Sequence, residues 1–142
     1  MEKYKYRITL DDVETAPVDE KDGWEKIDFR IMINDEICGS ELVCWWRTIF
    51  PKGRSHHKHL HTDAEEVVFG LSGRGASGFG DGKELEITPN TAIYIPRNVV
   101  HWTRNLSEDE DLIITGAYIG APNLEKTGYK SLGEITEEDK VL

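Results

Sequence analysis

Four of the chain's five histidines fall within His56-His57-Lys58-His59-Leu60-His61, two carboxylates follow at Glu65 and Glu66, and the fifth histidine is His101. Imidazole is the commonest metal ligand in proteins, and a carboxylate adds the anionic oxygen that a divalent ion favours. These types at this spacing predict a metal site, its first half in this stretch and its second half at His101. A hydrated polar strand, the bland alternative, does not account for four histidines within six residues of a chain that has one other.

Strands must position them. Side chains on an extended strand alternate faces, so His57, His59 and His61 are expected on one side and His56, Lys58 and Leu60 on the other. Residues 62–64 can turn the chain, and the returning strand presents Glu65 or Glu66, of which one faces inward. A later strand brings His101 into the same space. Three nitrogens and one oxygen then leave coordination positions open for water or substrate, as a catalytic metal requires.

The rest of the chain reads as short strands. Ile27-Asp28-Phe29-Arg30-Ile31-Met32-Ile33 precedes the turn signal Asn34-Asp35, and Leu42 to Phe50 is a nearly continuous apolar, aromatic and β-branched run, expected to be covered on both faces. Further strands are expected at 65–71, 76–80, 83–87, 91–95, 101–105 and 112–119, separated by Ser72-Gly73-Arg74-Gly75, Asp81-Gly82, Pro89-Asn90, Pro96 and an acidic tip at 108–111. Thr9-Leu10-Asp11-Asp12 and Thr136-Glu137-Glu138-Asp139 have capping-box spacing and suggest short helical turns near the termini. Eight or more strands without a long helix point to an all-β sandwich or barrel.

Bulk properties narrow the partners. The 142 residues suit one domain, and a formal charge of −10 disfavours nucleic acid and anionic membranes. Met1 to Arg7 is not followed by an apolar segment of signal-peptide length, and no apolar run approaches the about 20 residues of a bilayer-spanning helix, so a cytoplasmic protein is expected. Cys38 and Cys44 form no CxxC pair and are expected to be reduced.

The stretch from Gly53 to Gly73 resembles the first cupin motif, G-x5-H-x-H-x3,4-E-x6-G, without a gap. Asn90 to Asn105 is similar to the second, G-x5-P-x-G-x2-H-x3-N, with Pro96, His101 and Asn105 in place. Asn90 and Asn98 stand where that motif has glycines, and asparagine is the residue after glycine that best tolerates left-handed backbone. The resemblance implies a jelly-roll β-barrel over the whole chain, with amino-terminal strands in 1–40, a core carrying both motifs in 41–119 and a carboxy-terminal extension in 120–142. It selects Glu66 and implies that His59, His61, Glu66 and His101 bind one divalent metal, which in this family is iron, manganese, nickel, zinc or copper. Many cupins are dimers, and the run around Trp45 and Trp46 would serve either an interface or the core.

Other residues could bear on substrate. His57, by its inward parity, is a candidate acid/base or fifth ligand, and His56 is expected at the surface. Arg104 is expected to face outward. Arg47 could bind a substrate carboxylate or form an exposed ion pair, and Tyr118 could donate into the cavity or pack in the core. The expected function is a metal-dependent enzyme acting on a small organic molecule, an oxygenase in the first instance. A non-redox isomerase, lyase or cyclase using Lewis-acid chemistry and His57 is the alternative, and a metabolite-binding module without turnover a further one.

Overall fold

A computed structural model describes residues 3–142; Met1 and Glu2, the start of the amino-terminal stretch, lie outside the described residues. The described residues fold into ten strands: β1 (Asp28–Ile33), β2 (Val43–Phe50), β3 (Ser55–His61), β4 (Glu65–Ser72), β5 (Gly75–Phe79), β6 (Lys83–Ile87), β7 (Ala92–Ile95), β8 (His101–Asn105), β9 (Leu112–Ile119) and β10 (Tyr129–Ser131). They form two antiparallel five-stranded sheets in the orders β1-β2-β9-β4-β7 and β10-β3-β8-β5-β6. From β2 to β5 and again from β6 to β10 successive strands alternate between the sheets, and the inner faces enclose one core containing Trp24, Phe29, Trp46, Phe50, Ile114 and Tyr118. This is the expected jelly roll.

The local signals have physical counterparts. Asn34 caps the single turn of α1 (Asp35–Cys38), accepting from Ile37 N–H at 2.8 Å. Both expected capping boxes form, on the 3-10 turns Leu10–Asp12 and Glu137–Asp139. Among the described residues, Asn90 and Asn98 are the non-glycine ones with left-handed backbone, at φ 69° and 64°, so asparagine meets the demand that glycine meets in the motif. Among the described residues no helix is long and apolar enough to cross a membrane.

The expectation that the run at 42–50 is covered on both faces is corrected. Cys44, Trp46, Thr48 and Phe50 are buried, whereas on the opposite face Arg47 is buried but Trp45 is 38% exposed, on an open depression shared with Tyr6, Arg7, Ile8, Met32 and Ile33.

The outer face of the other sheet is covered by the carboxy-terminal segment. Glu84 on β6, Gly78 on β5 and Trp102 on β8 lie in one cross-strand row. The Trp102 indole crosses Gly78 so closely that a Cβ there would sit 1.8 Å from its Cε2, which is why this position is glycine. The indole N–H reaches the Glu84 carboxylate at 2.9 Å. Arg104 donates to both Glu84 oxygens at 2.8 Å, and the Val141 and Leu142 N–H groups donate to Oε1 at 2.8 and 3.1 Å. Lys58, also facing outward, pairs with Asp139 at 2.7 Å.

Candidate metal centre

The two sheets divide the labour of building the site. His59, His61 and His101 come from β3 and β8, where His59 and His101 are cross-strand partners, and Glu66 comes from β4 in the facing sheet. All four are buried, and one donor atom from each lies within 4.8 Å of the others. Glu66 Oε1 is 3.0 Å from His101 Nε2 and 3.4 Å from His61 Nε2. Ligands bonded to one ion at about 2.1 Å and subtending 90° to 109° are themselves about 3.0 to 3.4 Å apart.

Hydrogen bonding on the far side of each ring sets the tautomers. Nδ1 of His59 donates to the His57 carbonyl at 2.7 Å, Nδ1 of His101 to the Val99 carbonyl at 2.8 Å, and Nδ1 of His61 to the Thr127 hydroxyl at 2.8 Å. Each neutral ring is left with an Nε2 lone pair, the ligating form. His61 Nε2 is buried and has no hydrogen-bond partner, and His101 Nε2 faces the carboxylate oxygen with no proton between them unless the ring is an imidazolium. A cation resolves both conflicts, so the residues present fit a divalent transition metal.

The electrostatics agree. Burial pushes the Glu66 carboxyl up, but the adjacent His101 and His61 outweigh it and hold the group at about 2, an anion at neutral pH. Burial, followed by the neighbouring imidazoles, lowers His59 well below the ordinary histidine range. His59 is therefore neutral and able to ligate.

The expected facing of His56 and His57 is reversed. His56 pairs with Thr103 and His59 with His101, so three steps along β3 match two along β8. This β-bulge inserts one residue and flips the parity upstream of His59. His56 is thus buried, stacked between Trp24 at 3.7 Å and His59 at 3.8 Å, with Nε2 2.8 Å from the Tyr129 hydroxyl. His57 leaves the cluster. Its Nε2 donates to Glu25 at 2.7 Å and its Nδ1 accepts from Ile135 N–H at 3.0 Å, tying the segments before and after the barrel to β3.

The two remaining candidates separate. Arg47 does not enter the cavity: Trp46 and Thr48 take the inward positions of β2, and Arg47 pairs with Asp28 on β1 at 2.9 Å. Tyr118 is inward and buried, its ring 4.8 Å from that of His61. Arg104 faces outward, as expected, onto Glu84.

His59, Glu66 and His101 of the cluster line a cavity of about 20 Å³, room for about one water. Trp24, Phe29, Trp46, Phe50, Ile114 and Tyr118 make its walls, with Thr48, Thr103 and His56 as the polar groups besides the ligands, and no lysine or arginine lines it. Sequence reasoning missed Trp24, Thr127 and Tyr129. Trp24 comes before the first strand, the other two lie in the carboxy-terminal extension, and no periodicity marks any of them.

Comparison with known proteins agrees with this architecture. No curated protein matches the chain significantly. Among solved structures, the polyketide cyclase RemF from Streptomyces resistomycificus superposes with a TM-score of 0.72 at 18% identity, over 95% of this chain and 89% of that one. A cupin-like protein from Thermotoga maritima gives 0.68 at 23% identity over 80% of each chain. A predicted oxalate decarboxylase from the same organism gives 0.69 at 17% identity, over 80% of this chain and 98% of that one. At these identities the likeness is one of fold. The model of the cupin domain matches residues 46–116, half of the sequence, and spans all four clustered residues. The chain belongs to the cupin domain family.

Proposed function

We propose that this cupin is a metal-dependent enzyme acting on a small organic molecule, with His59, His61, Glu66 and His101 holding one divalent ion, and that its chemistry is that of an oxygenase. The observation that supports this most is the convergence of four buried donors, three of which line a cavity walled by Trp24, Phe29, Trp46, Phe50, Ile114 and Tyr118. Once bound, the metal supplies Lewis acidity and, where redox-active, electrons to dioxygen.

The protein's own residues do the rest. Glu66 offsets one of the two positive charges, and the aromatic walls exclude bulk water and favour an apolar, uncharged substrate body. Beyond the ion itself, a dicarboxylate finds no lysine or arginine in the cavity, so the activities of the oxalate decarboxylase and oxidase among the structural relatives are not carried over. His57, occupied by Glu25 and Ile135, is a structural tie and not an acid/base.

One observation favours a second reading. His56 lies inside, and burial holds it well below the ordinary histidine range, so a neutral imidazole stands next to His59. In a non-redox isomerase, lyase or cyclase it would take the proton-moving role first given to His57. RemF, a cyclase, and the oxalate oxidase show that the fold carries chemistries of both kinds.

The test is metal analysis of anaerobically purified protein, followed by oxygen uptake with candidate substrates. Iron or another redox-active ion with substrate-dependent uptake is expected. Zinc at full occupancy without uptake would overturn the oxygenase reading, and stoichiometry unchanged in His101→Ala would overturn the ligand set.

Trp46 packs in the core, which leaves Trp45 for the dimer expectation. Trp45, Ala117, Val67 and Tyr94 form one cross-strand row on the open sheet face, and we propose that two copies pair through it. Sedimentation of Trp45→Lys should then show monomers. The two cysteines are unpaired, and the proposed compartment is the cytoplasm.

A further inference from the structure

The three imidazoles of the cluster are fixed by two kinds of partner. His59 and His101 donate Nδ1–H to carbonyls two residues earlier in the chain, acceptors that no side-chain substitution removes. His61 donates instead to a side chain from the carboxy-terminal extension, the hydroxyl of Thr127, at 2.8 Å.

Thr127 is built for that task. It is fully buried, and its own hydroxyl proton is committed to the Leu124 carbonyl at 2.6 Å. Toward His61 its oxygen can therefore only accept, which fixes the proton on Nδ1 and turns the Nε2 lone pair to the cluster. The residues after His61 clamp Thr127 in turn: Asp63 N–H donates to the Thr127 carbonyl at 2.8 Å and Thr62 N–H to that of Gly128 at 3.3 Å. Gly128 has φ 74°, and a Cβ there would lie 1.9 Å from Thr62 Oγ1, so this close approach requires glycine.

We propose that Thr127 is a positioning residue of the metal centre, setting the tautomer and ring orientation of His61 for an ion; this rests on the reading that the four clustered residues ligate a metal. Without the hydroxyl, His61 has a single acceptor within reach, Glu66 Oε1 at 3.4 Å. Donating to it places the proton on Nε2, the atom the ion needs. Loss of such an orienting partner lowers metal affinity about 10- to 100-fold.

The experiment compares wild type, Thr127→Val, Thr127→Ser and His101→Ala. Zinc is titrated calorimetrically, and the histidine tautomers of metal-free, 15N-labelled protein are read by NMR. Wild type and Thr127→Ser should show His61 protonated on Nδ1 and similar zinc affinity. Thr127→Val should shift the proton toward Nε2 and weaken zinc binding at least about 10-fold. A Thr127→Val protein with the wild-type tautomer and affinity, or a Thr127→Ser protein no better than Thr127→Val, would overturn the proposal. Should Thr127→Val unfold, the comparison of Thr127→Ser with Thr127→Ala decides in the same way. Failure of the metal reading looks different: wild type and His101→Ala then bind zinc equally poorly, while the His61 tautomer still reports on Thr127.

Discussion

Glu84→Gln tests how the outer strap is held. The Glu84 side chain is fully buried beneath the carboxy-terminal segment and accepts from five N–H groups, those of the Trp102 indole, the Arg104 Nε and Nη2, Val141 and Leu142. Burial pushes its carboxyl up, yet the hydrogen bonds from Arg104 and Trp102 and from the Leu142 and Val141 amides outweigh it and hold the group at about 2 against 4.5 when exposed. That difference corresponds to roughly 3 kcal/mol at neutral pH, or about 2 kcal/mol after allowance for the solvent that screens a site so near the surface. The folded-state value is depressed, so this stability is present above pH 4.5 and is lost as pH falls from there toward 2. Urea unfolding of wild type and Glu84→Gln at pH 7, 5 and 3 isolates the effect, since other carboxyls titrate in both proteins and cancel in the difference. The variant should be less stable by about 2 kcal/mol at pH 7, and the gap should shrink by more than half at pH 3. A gap of the same size at every pH would show that the charge on Glu84 does not hold the strap.

Gly78→Ala places a methyl inside the Trp102 indole and should cost about 1–3 kcal/mol or more, with a shift in tryptophan emission; unaltered unfolding would show that the ring does not lie across this strand. His57→Gln should keep full metal content and lose about 1 kcal/mol of stability with its Glu25 and Ile135 contacts, whereas His56→Ala should disturb metal content; the opposite pattern by elemental analysis would refute the bulge-derived facing. Cys44 is wholly buried, and burial pushes its thiol up to about 12, so native protein at pH 8 should expose no more than one thiol to a disulfide reagent and unfolded protein two; two thiols reacting natively at equal rates would contradict its burial.

What was legible in the sequence and what was not follow from how far each feature reaches along the chain. The strands from 43 to 119 announce themselves by alternation and turn residues, each within a window of ten or so residues. The convergence of His59, His61 and Glu66 is local too, since a two-residue step and one turn suffice, and His101 enters as the cross-strand partner of His59. The bulge leaves no such trace. Nothing between His56 and His59 is a glycine or proline, and the extra residue is defined only against β8, so strict alternation put the wrong histidine inside. Arg47 was ambiguous for the same reason: the face it takes depends on Asp28 across the β1–β2 pair. Thr127 and Tyr129 were invisible because they reach the site across 66 and 73 residues from a segment without periodicity.

The bulge also decides what any ligand must pass. Strict alternation along β3 would have put His57 inside. Instead His56 fills that position, and Trp24, His56 and Tyr129 stack over the ligands, with Tyr129 OH held by the Asp22 carbonyl. Trp24 is a wall of the inner cavity of about 20 Å³ and also of an outer depression of about 370 Å³ bounded by Pro17, Val18 and Leu124. The Trp24–His56–Tyr129 layer, held by the hydrogen bonds of the Tyr129 hydroxyl to His56 and to the Asp22 carbonyl, thus lies between the clustered donors and that depression. In the proposed enzyme two segments flanking the barrel, 17–25 and 124–129, would govern substrate size and access, while the four clustered donors belong to the barrel itself.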